Sequence, residues 1–136
     1  MSAIRTNHIL IFDPAQLHYE SSCWKRALAF MIEENIHLKN RLSEILQGHL
    51  DGKALEQAEN FQNRFIKVDE FIRLLRDDLA ALDKITGSTP NEIAGAEEIS
   101  RRVKKIRDNM NRLESFMTSI KFQFNTQLSQ KWKNEK

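Results

Sequence analysis

The stretch from Leu17 to Trp24, LHYESSCW, brings together side chains that commonly bind metals. His18, Glu20 and Cys23 are the candidates, because imidazole, carboxylate and thiolate groups are the usual zinc ligands. Residues two apart on a helix do not face each other, so His18 and Glu20 cannot hold the same ion. Cys23 follows His18 by five residues, which is a poor same-face spacing. We interpret the three as polar neighbours of a structural helix and predict no metal site here.

Glu34 and His37 form the spacing E-x-x-H, which carboxylate-bridged di-iron bundles use twice, together with two further glutamates. The chain has 4 histidines, and none lies beyond position 49. The later helices therefore cannot supply a second E-x-x-H. The sequence also contains no glycine-rich phosphate loop and no nucleophile motif. It favours a non-enzymatic protein with no metal and no cofactor.

The strongest local charge feature is RRVKKIR, residues 101–107, in which Val103 and Ile106 have the spacing of a helical core. This run could pair with acidic residues of the preceding helix, or a nucleic acid or other polyanion could bind it. The acidic residues are Asp69, Glu70, Asp77, Asp78 and Asp83. No aromatic residue interleaves the run, and the formal charge of the chain is only +2, so a solvated or internally paired face is favoured over nucleic-acid binding. The basic residues left outside the core are Arg101, Arg102, Lys104, Lys105 and Arg107.

The composition predicts that a few long helices position these side chains. Charged residues make up 29% and hydrophobic residues 40%, whereas 4 Gly and 2 Pro are too few for the many turns of an all-β or α/β domain. The single cysteine forms no internal disulfide, which indicates a reducing compartment. The apolar run at residues 9–12 is too short for a secretory signal or a membrane span. We expect a cytoplasmic protein that makes no membrane contact.

Three apolar stripes have steps of three and four residues, the spacing of supercoiled helices. Ser21 and Asn35 are the two polar members of the first stripe, and we interpret Asn35 as a device that fixes the helix register. The apolar members are Leu17, Trp24, Leu28, Met31, Leu38, Leu42 and Ile45, then Ala58, Phe61, Phe65, Val68, Ile72, Leu75, Leu79 and Leu82, then Ile99, Val103, Ile106, Met110, Leu113, Met117, Ile120, Phe124 and Leu128.

Helix-capping residues and turns set the predicted boundaries. Asp13-Pro14 and Thr89-Pro90 are typical helix starts, and short turns between helices force neighbours to run antiparallel. The sequence therefore predicts an all-α, antiparallel, up-down-up three-helix bundle of coiled-coil-like helices. Its predicted parts are an extended N-terminal arm at residues 1–13 and a bundle at 14–136, with helices at about 14–48, 53–86 and 90–132.

The third helix is predicted to be longer than its partners, and its excess length carries Leu128 and Trp132. These apolar side chains would stand in water unless the arm, through Ile9, Ile11 and Phe12, or a second chain covered them. We therefore predict a homodimer in which these five residues make the contacts.

Several short motifs are similar to those of a group of small helical proteins from Bacteroidetes bacteria. The resemblance extends from about residue 15 to 132, and it implies a bacterial, intracellular helical protein without implying a reaction. The motifs are Leu17-His18-Tyr19-Glu20 followed by Trp24, then Phe61 to Ile66, and finally Phe122 to Asn125 with Trp132.

These observations favour a helical-bundle protein that self-associates and docks a protein partner. The alternative is an accessory protein that binds nucleic acid or another polyanion through the basic face of the third helix. The sequence names neither the partner nor the pathway.

Overall fold

A computed structural model describes residues 13–48, 50–87 and 93–129 of the chain. Over these ranges the protein is an all-α three-helix bundle without strands, which confirms the predicted fold class. Its elements in chain order are α1 (Pro14–Leu46), α2 (Gly52–Gly87), α3 (Ile93–Phe124) and a π-helical turn (Asn125–Ser129) that continues α3.

The first two helices begin where an aspartate satisfies their free amide groups. Asp13 Oδ1 accepts a hydrogen bond from the Ala15 amide at 3.0 Å, and the Asp13 carbonyl accepts one from Leu17 at 2.8 Å. At the start of α2, Asp51 Oδ1 accepts from the Ala54 amide at 2.7 Å. A side-chain acceptor at this position is what the first turn of a helix lacks, so both aspartates act as N-caps.

Three predicted features lie outside the described residues. They are the arm with Ile9, Ile11 and Phe12, the helix start at Thr89-Pro90, and Trp132.

The bundle divides into two compact units, each of which takes a part of all three helices. The described part of the first unit comprises residues 13–28, 73–87 and 93–111. The described part of the second unit comprises residues 29–48, 50–72 and 112–129.

The buried side chains follow the three predicted stripes closely. Every apolar member of the stripes is buried except Val103, which is half-buried. The two polar members are buried as well, with Ser21 at 5% and Asn35 at 0% exposure. In the second unit three phenylalanines form an aromatic cluster, in which Phe124 meets both Phe61 and Phe65 edge-on at 5.4 Å between ring centroids. Burial of these stripes is the main stabilising contribution to the fold.

The π-helical turn corrects the phase of the third stripe at its end. Ile120, Phe124 and Leu128 are separated by two successive steps of four, whereas a heptad requires a step of three after a step of four. A π turn takes up one additional residue, so Leu128 stays on the core side and is only 2% exposed. The Thr126 hydroxyl donates to the Phe122 carbonyl at 2.9 Å and so satisfies an acceptor in the altered turn. Leu128 is therefore covered within the single chain. Its role as an interface contact stays a prediction.

Deletion of Thr126 should leave the bundle nearly as stable as the wild type. With one residue fewer, an α-helical turn places Leu128 on the core side, so we expect a change of less than about 1 kcal/mol in the free energy of unfolding. Deletion of the exposed Ser115 is the control, because it rotates every later core residue of α3 by roughly 100° and should cost more than ~3 kcal/mol. Urea unfolding followed by circular dichroism measures both. If both deletions lower the free energy of unfolding equally, the π turn is not what keeps Leu128 on the core side of α3.

Candidate interaction surface and polar layers

The cluster that first suggested a metal site is not brought together by the fold. His18 is exposed, whereas Glu20 is half-buried and forms two hydrogen bonds with Arg107 on α3, at 2.9 and 3.0 Å. The Cys23 sulfur accepts a hydrogen bond from Arg26 at 3.4 Å. Glu20 and Cys23 therefore have different neighbours, and within the described ranges no three His, Cys, Asp or Glu side chains are placed to hold a metal ion.

Glu34 and His37 also point to different surroundings. Glu34 is half-buried and forms an ion pair with Lys121 of α3, whereas His37 is exposed. Glu34 therefore takes part in a charge pair between α1 and α3, and His37 lies outside that pair.

The first unit contains a polar layer around Ser21. The Ser21 hydroxyl donates to Asp83 Oδ1 on α2 at 3.4 Å, and the other oxygen of Asp83 pairs with Lys25 at 2.5 Å. On the opposite side of α1, Glu20 pairs with Arg107 of α3. One turn of α1 is thus tied to both neighbouring helices.

The second unit repeats the arrangement around Asn35, which is fully buried. Its side-chain amide donates to the Phe65 carbonyl at 3.1 Å and to Asp69 Oδ1 at 2.7 Å, and Lys39 pairs with Asp69 Oδ2 at 2.7 Å. The amide oxygen of Asn35 has no hydrogen-bond partner in the part of the chain that the structure describes. Lys121, bound to Glu34, again ties α1 to α3.

The two polar layers are related by 14 residues, which is two heptads. Charged residues flanking the core of adjacent helices set helix orientation and register, although exposed pairs of this kind stabilise by only about 0–1 kcal/mol each. The two polar layers therefore contribute more to the choice of helix orientation and register than to the free energy of unfolding. The equivalent residues on α1 are Ser21 and Asn35, Lys25 and Lys39, and Glu20 and Glu34; on α2 they are Asp83 and Asp69, and on α3 Arg107 and Lys121.

The acidic residues of α2 do not all pair where the sequence predicts. Asp69 and Asp83 bind lysines of α1 rather than the basic run of α3, whereas Asp78 lines a surface pocket together with cations of that run. Basic residues of that run find their carboxylates elsewhere, on α3 itself and on α1.

The basic run is partly paired within the chain. Glu98 binds both Arg101 and Arg102, with a distance of 2.8 Å to the Nε atom of Arg102, and Arg107 binds Glu20. Lys104 and Lys105 are exposed and have no carboxylate within 4.0 Å among the described residues. Three of the five cations are therefore paired within the chain, as internal pairing predicts. The other two point to solvent, where a polyanion could contact them.

A surface pocket of about 270 Å³ lies beside this run in the first unit. Its positive side chains could contact an anion, while its two carboxylates oppose one, so its charge is mixed. The lining residues are Asp78, Glu98, Arg101, Arg102, Lys105 and Ile106.

A strip of aliphatic side chains, here called the aliphatic flank, runs along the α1–α2 side of the second unit. The side is identified by the Lys39–Asp69 ion pair, which joins the two helices. Residues spaced from Lys39 or Asp69 by multiples of seven, or by three, share that side of their helix. The members are Ile32, Ile36 and Leu46 on α1 and Leu55 and Ile66 on α2.

Three members of the aliphatic flank are largely open to solvent. Ile36 is 48%, Leu55 44% and Ile66 46% exposed, while Ile32 and Leu46 are half-buried. Single exposed apolar residues are normal on protein surfaces, whereas several on one side of a helix pair make that side a candidate contact site.

Comparison with protein-family models, curated proteins and solved structures found no match in any of the three. The resemblance to small helical proteins from Bacteroidetes stays a prediction. None of the described helices has an apolar stretch long enough to cross a membrane.

The sequence contains a signal for the aliphatic flank, in apolar residues that lie outside the three core stripes. Ile32 and Ile36 lie beside the core positions Met31 and Asn35, where solvated helices usually carry polar residues. Core spacing alone points instead to candidate contacts near the chain ends, at Ile9, Ile11, Phe12, Leu128 and Trp132. Among those candidates, Leu128 is buried within the chain.

Proposed function

We propose that this chain is a non-enzymatic helical-bundle interaction protein of the cytoplasm, which self-associates and docks a protein partner. The observation that carries the proposal is the aliphatic flank, with Ile36, Leu55 and Ile66 each more than 40% exposed. Removing such side chains from water contributes about 1.5–3 kcal/mol per fully buried residue, which is enough for a few of them to drive a contact.

Capture from an extract of the cells that naturally produce the chain tests the proposal. The bait proteins are the wild type, the double variant I36E/I66E and the control F122E, in which a more exposed apolar residue of α3 is changed. We expect the wild type and F122E to retain the same protein, and I36E/I66E to lose at least nine-tenths of it, roughly the tenfold effect of 1.4 kcal/mol. Equal retention by all three baits would refute the proposal.

A second candidate function is anion binding at the basic run of α3, in the form of a nucleic acid or another polyanion. It is supported by Lys104 and Lys105, which have no carboxylate partner within residues 13–48, 50–87 and 93–129, and by the adjacent pocket lined by Arg101 and Arg102. The paired state of both arginines and of Arg107 reduces the charge available for phosphate contacts.

Heparin chromatography at about 50 mM salt distinguishes this candidate, since phosphate and sulfate contacts weaken steeply as salt rises. Retention that K104E/K105E abolishes, and that the control K53E/K67E on α2 keeps, would support it. An unretained wild type would exclude it.

A further inference from the structure

We infer that the partner of the aliphatic flank is the same flank of a second copy of this chain, so that α1 and α2 of two copies form a four-helix arrangement with two-fold symmetry. This inference rests on the proposed function, because it names the occupant of the same surface.

The heights of the aliphatic side chains along the bundle fit such a pairing. Asn35 on α1 contacts the Phe65 carbonyl and Asp69 on α2, which fixes the antiparallel register of the two helices. Ile36 and Ile66 each follow one of these contact residues directly, so they lie at about the same height on opposite sides of the groove. A two-fold axis parallel to the helices then brings Ile36 of one copy onto Ile66 of the partner subunit, with α1 antiparallel to the partner's α2.

The charges on the flank are complementary to themselves under that symmetry. The flank carries the ion pair between Lys39 and Asp69, whose side chains are 39% and 47% exposed. The two-fold axis exchanges the two helices, so Lys39 of one copy faces the partner's Asp69 and like charges do not meet. Complementary charge of this kind favours one orientation of two copies over others.

The size of the flank predicts a weak dimer. The part of α1 in the second unit, residues 29–46, is about 27 Å long, and a helix is roughly 10 Å wide. Two helices therefore offer about 500 Å² from each copy, or about 1,000 Å² in total, which is at the lower limit for a specific interface. We expect dissociation constants in the micromolar range and a monomer–dimer equilibrium that depends on concentration.

Sedimentation equilibrium of the purified chain between about 5 and 200 µM tests the inference, with a range chosen around a micromolar dissociation constant. The variants are I36E, I66K, the double variant I36E/I66K and the control F122E, each checked for helix content by circular dichroism. We expect each single variant to raise the dissociation constant at least tenfold and F122E to leave it within about twofold. In the double variant the introduced glutamate faces the partner's introduced lysine, so dimerisation should recover to within about fivefold of the wild type.

A wild type that remains monomeric throughout this range would overturn the inference, as would equal weakening by I36E and F122E. If the double variant does not recover dimerisation, then Ile36 of one copy does not lie against Ile66 of the partner subunit, and the proposed two-fold arrangement is wrong. These outcomes are separable from the proposed function. A monomeric chain whose I36E/I66E variant loses its captured protein shows that the flank docks a different protein, whereas no loss in either experiment refutes both.

Discussion

Replacing Phe65 by alanine should lower the free energy of unfolding by about 3–5 kcal/mol, the largest loss expected from a single substitution in this chain. Phe65 is fully buried and contacts two other rings, Phe124 edge-on at 5.4 Å and Phe61 in a stacked arrangement at 6.3 Å between centroids. Alanine removes the buried apolar surface of one ring, breaks both aromatic contacts and leaves a cavity that the helices can close only partly. Urea unfolding followed by circular dichroism measures the loss.

Phe122→Ala is the matched control, since Phe122 belongs to the same unit and is 68% exposed. It should change the free energy of unfolding by less than about 0.5 kcal/mol. Phe65→Leu should fall between the two, at roughly 1–2 kcal/mol, because leucine fills part of the volume without replacing the ring contacts. A loss below about 1 kcal/mol for Phe65→Ala would show that the cluster is not a packed core.

Burial was predictable from the sequence because it depends on local helix geometry. Residues three and four apart share one face of a helix, so an unbroken apolar spacing identifies a core face without knowledge of the neighbours. Phe65, Leu113 and Asn35 were all assigned to the core in this way, and each is 0% exposed. The aromatic cluster itself was not predicted, because spacing within a helix does not say which residues of different helices meet.

The partners of the flanking charges were not predictable, because they depend on the handedness of the bundle. Three helices with equivalent stripes can be arranged so that the second helix lies on either side of the first, and the core faces are satisfied in both arrangements. The choice decides whether the side of α1 that carries Lys39 faces α2 or α3. In this structure it faces α2, so Asp69 pairs with Lys39 while Glu34, on the other side of α1, pairs with Lys121.

The end of α3 illustrates a signal that was present but ambiguous. Two successive steps of four, from Ile120 to Phe124 and from Phe124 to Leu128, mark a departure from the heptad. A helix can absorb that departure by local unwinding, by letting the residue leave the core, or by a π turn. Only the packing against the other helices selects the π turn and buries Leu128.

Replacing Asn35 by leucine should raise the free energy of unfolding by about 1–2 kcal/mol, which is the opposite of the usual effect of a core substitution. Asn35 is fully buried, and its amide oxygen has no hydrogen-bond partner among the described residues, a state that costs about 1–3 kcal/mol. Leucine removes that oxygen and adds buried apolar surface. Asp69 keeps its ion pair with Lys39 and is partly open to water, so the lost amide leaves no carboxylate stranded.

The stability gained in Asn35→Leu should be accompanied by a loss of uniqueness, because the hydrogen bonds from Asn35 to the Phe65 carbonyl and to Asp69 distinguish the correct register from a shifted one. Urea unfolding measures the first effect, and doubled peaks in a ¹H–¹⁵N correlation spectrum report the second. Asn35→Ala is the control: it loses the same hydrogen bonds, buries no additional surface and should destabilise by about 1–2 kcal/mol. If leucine and alanine destabilise equally, Asn35 contributes stability and the interpretation of a register device fails.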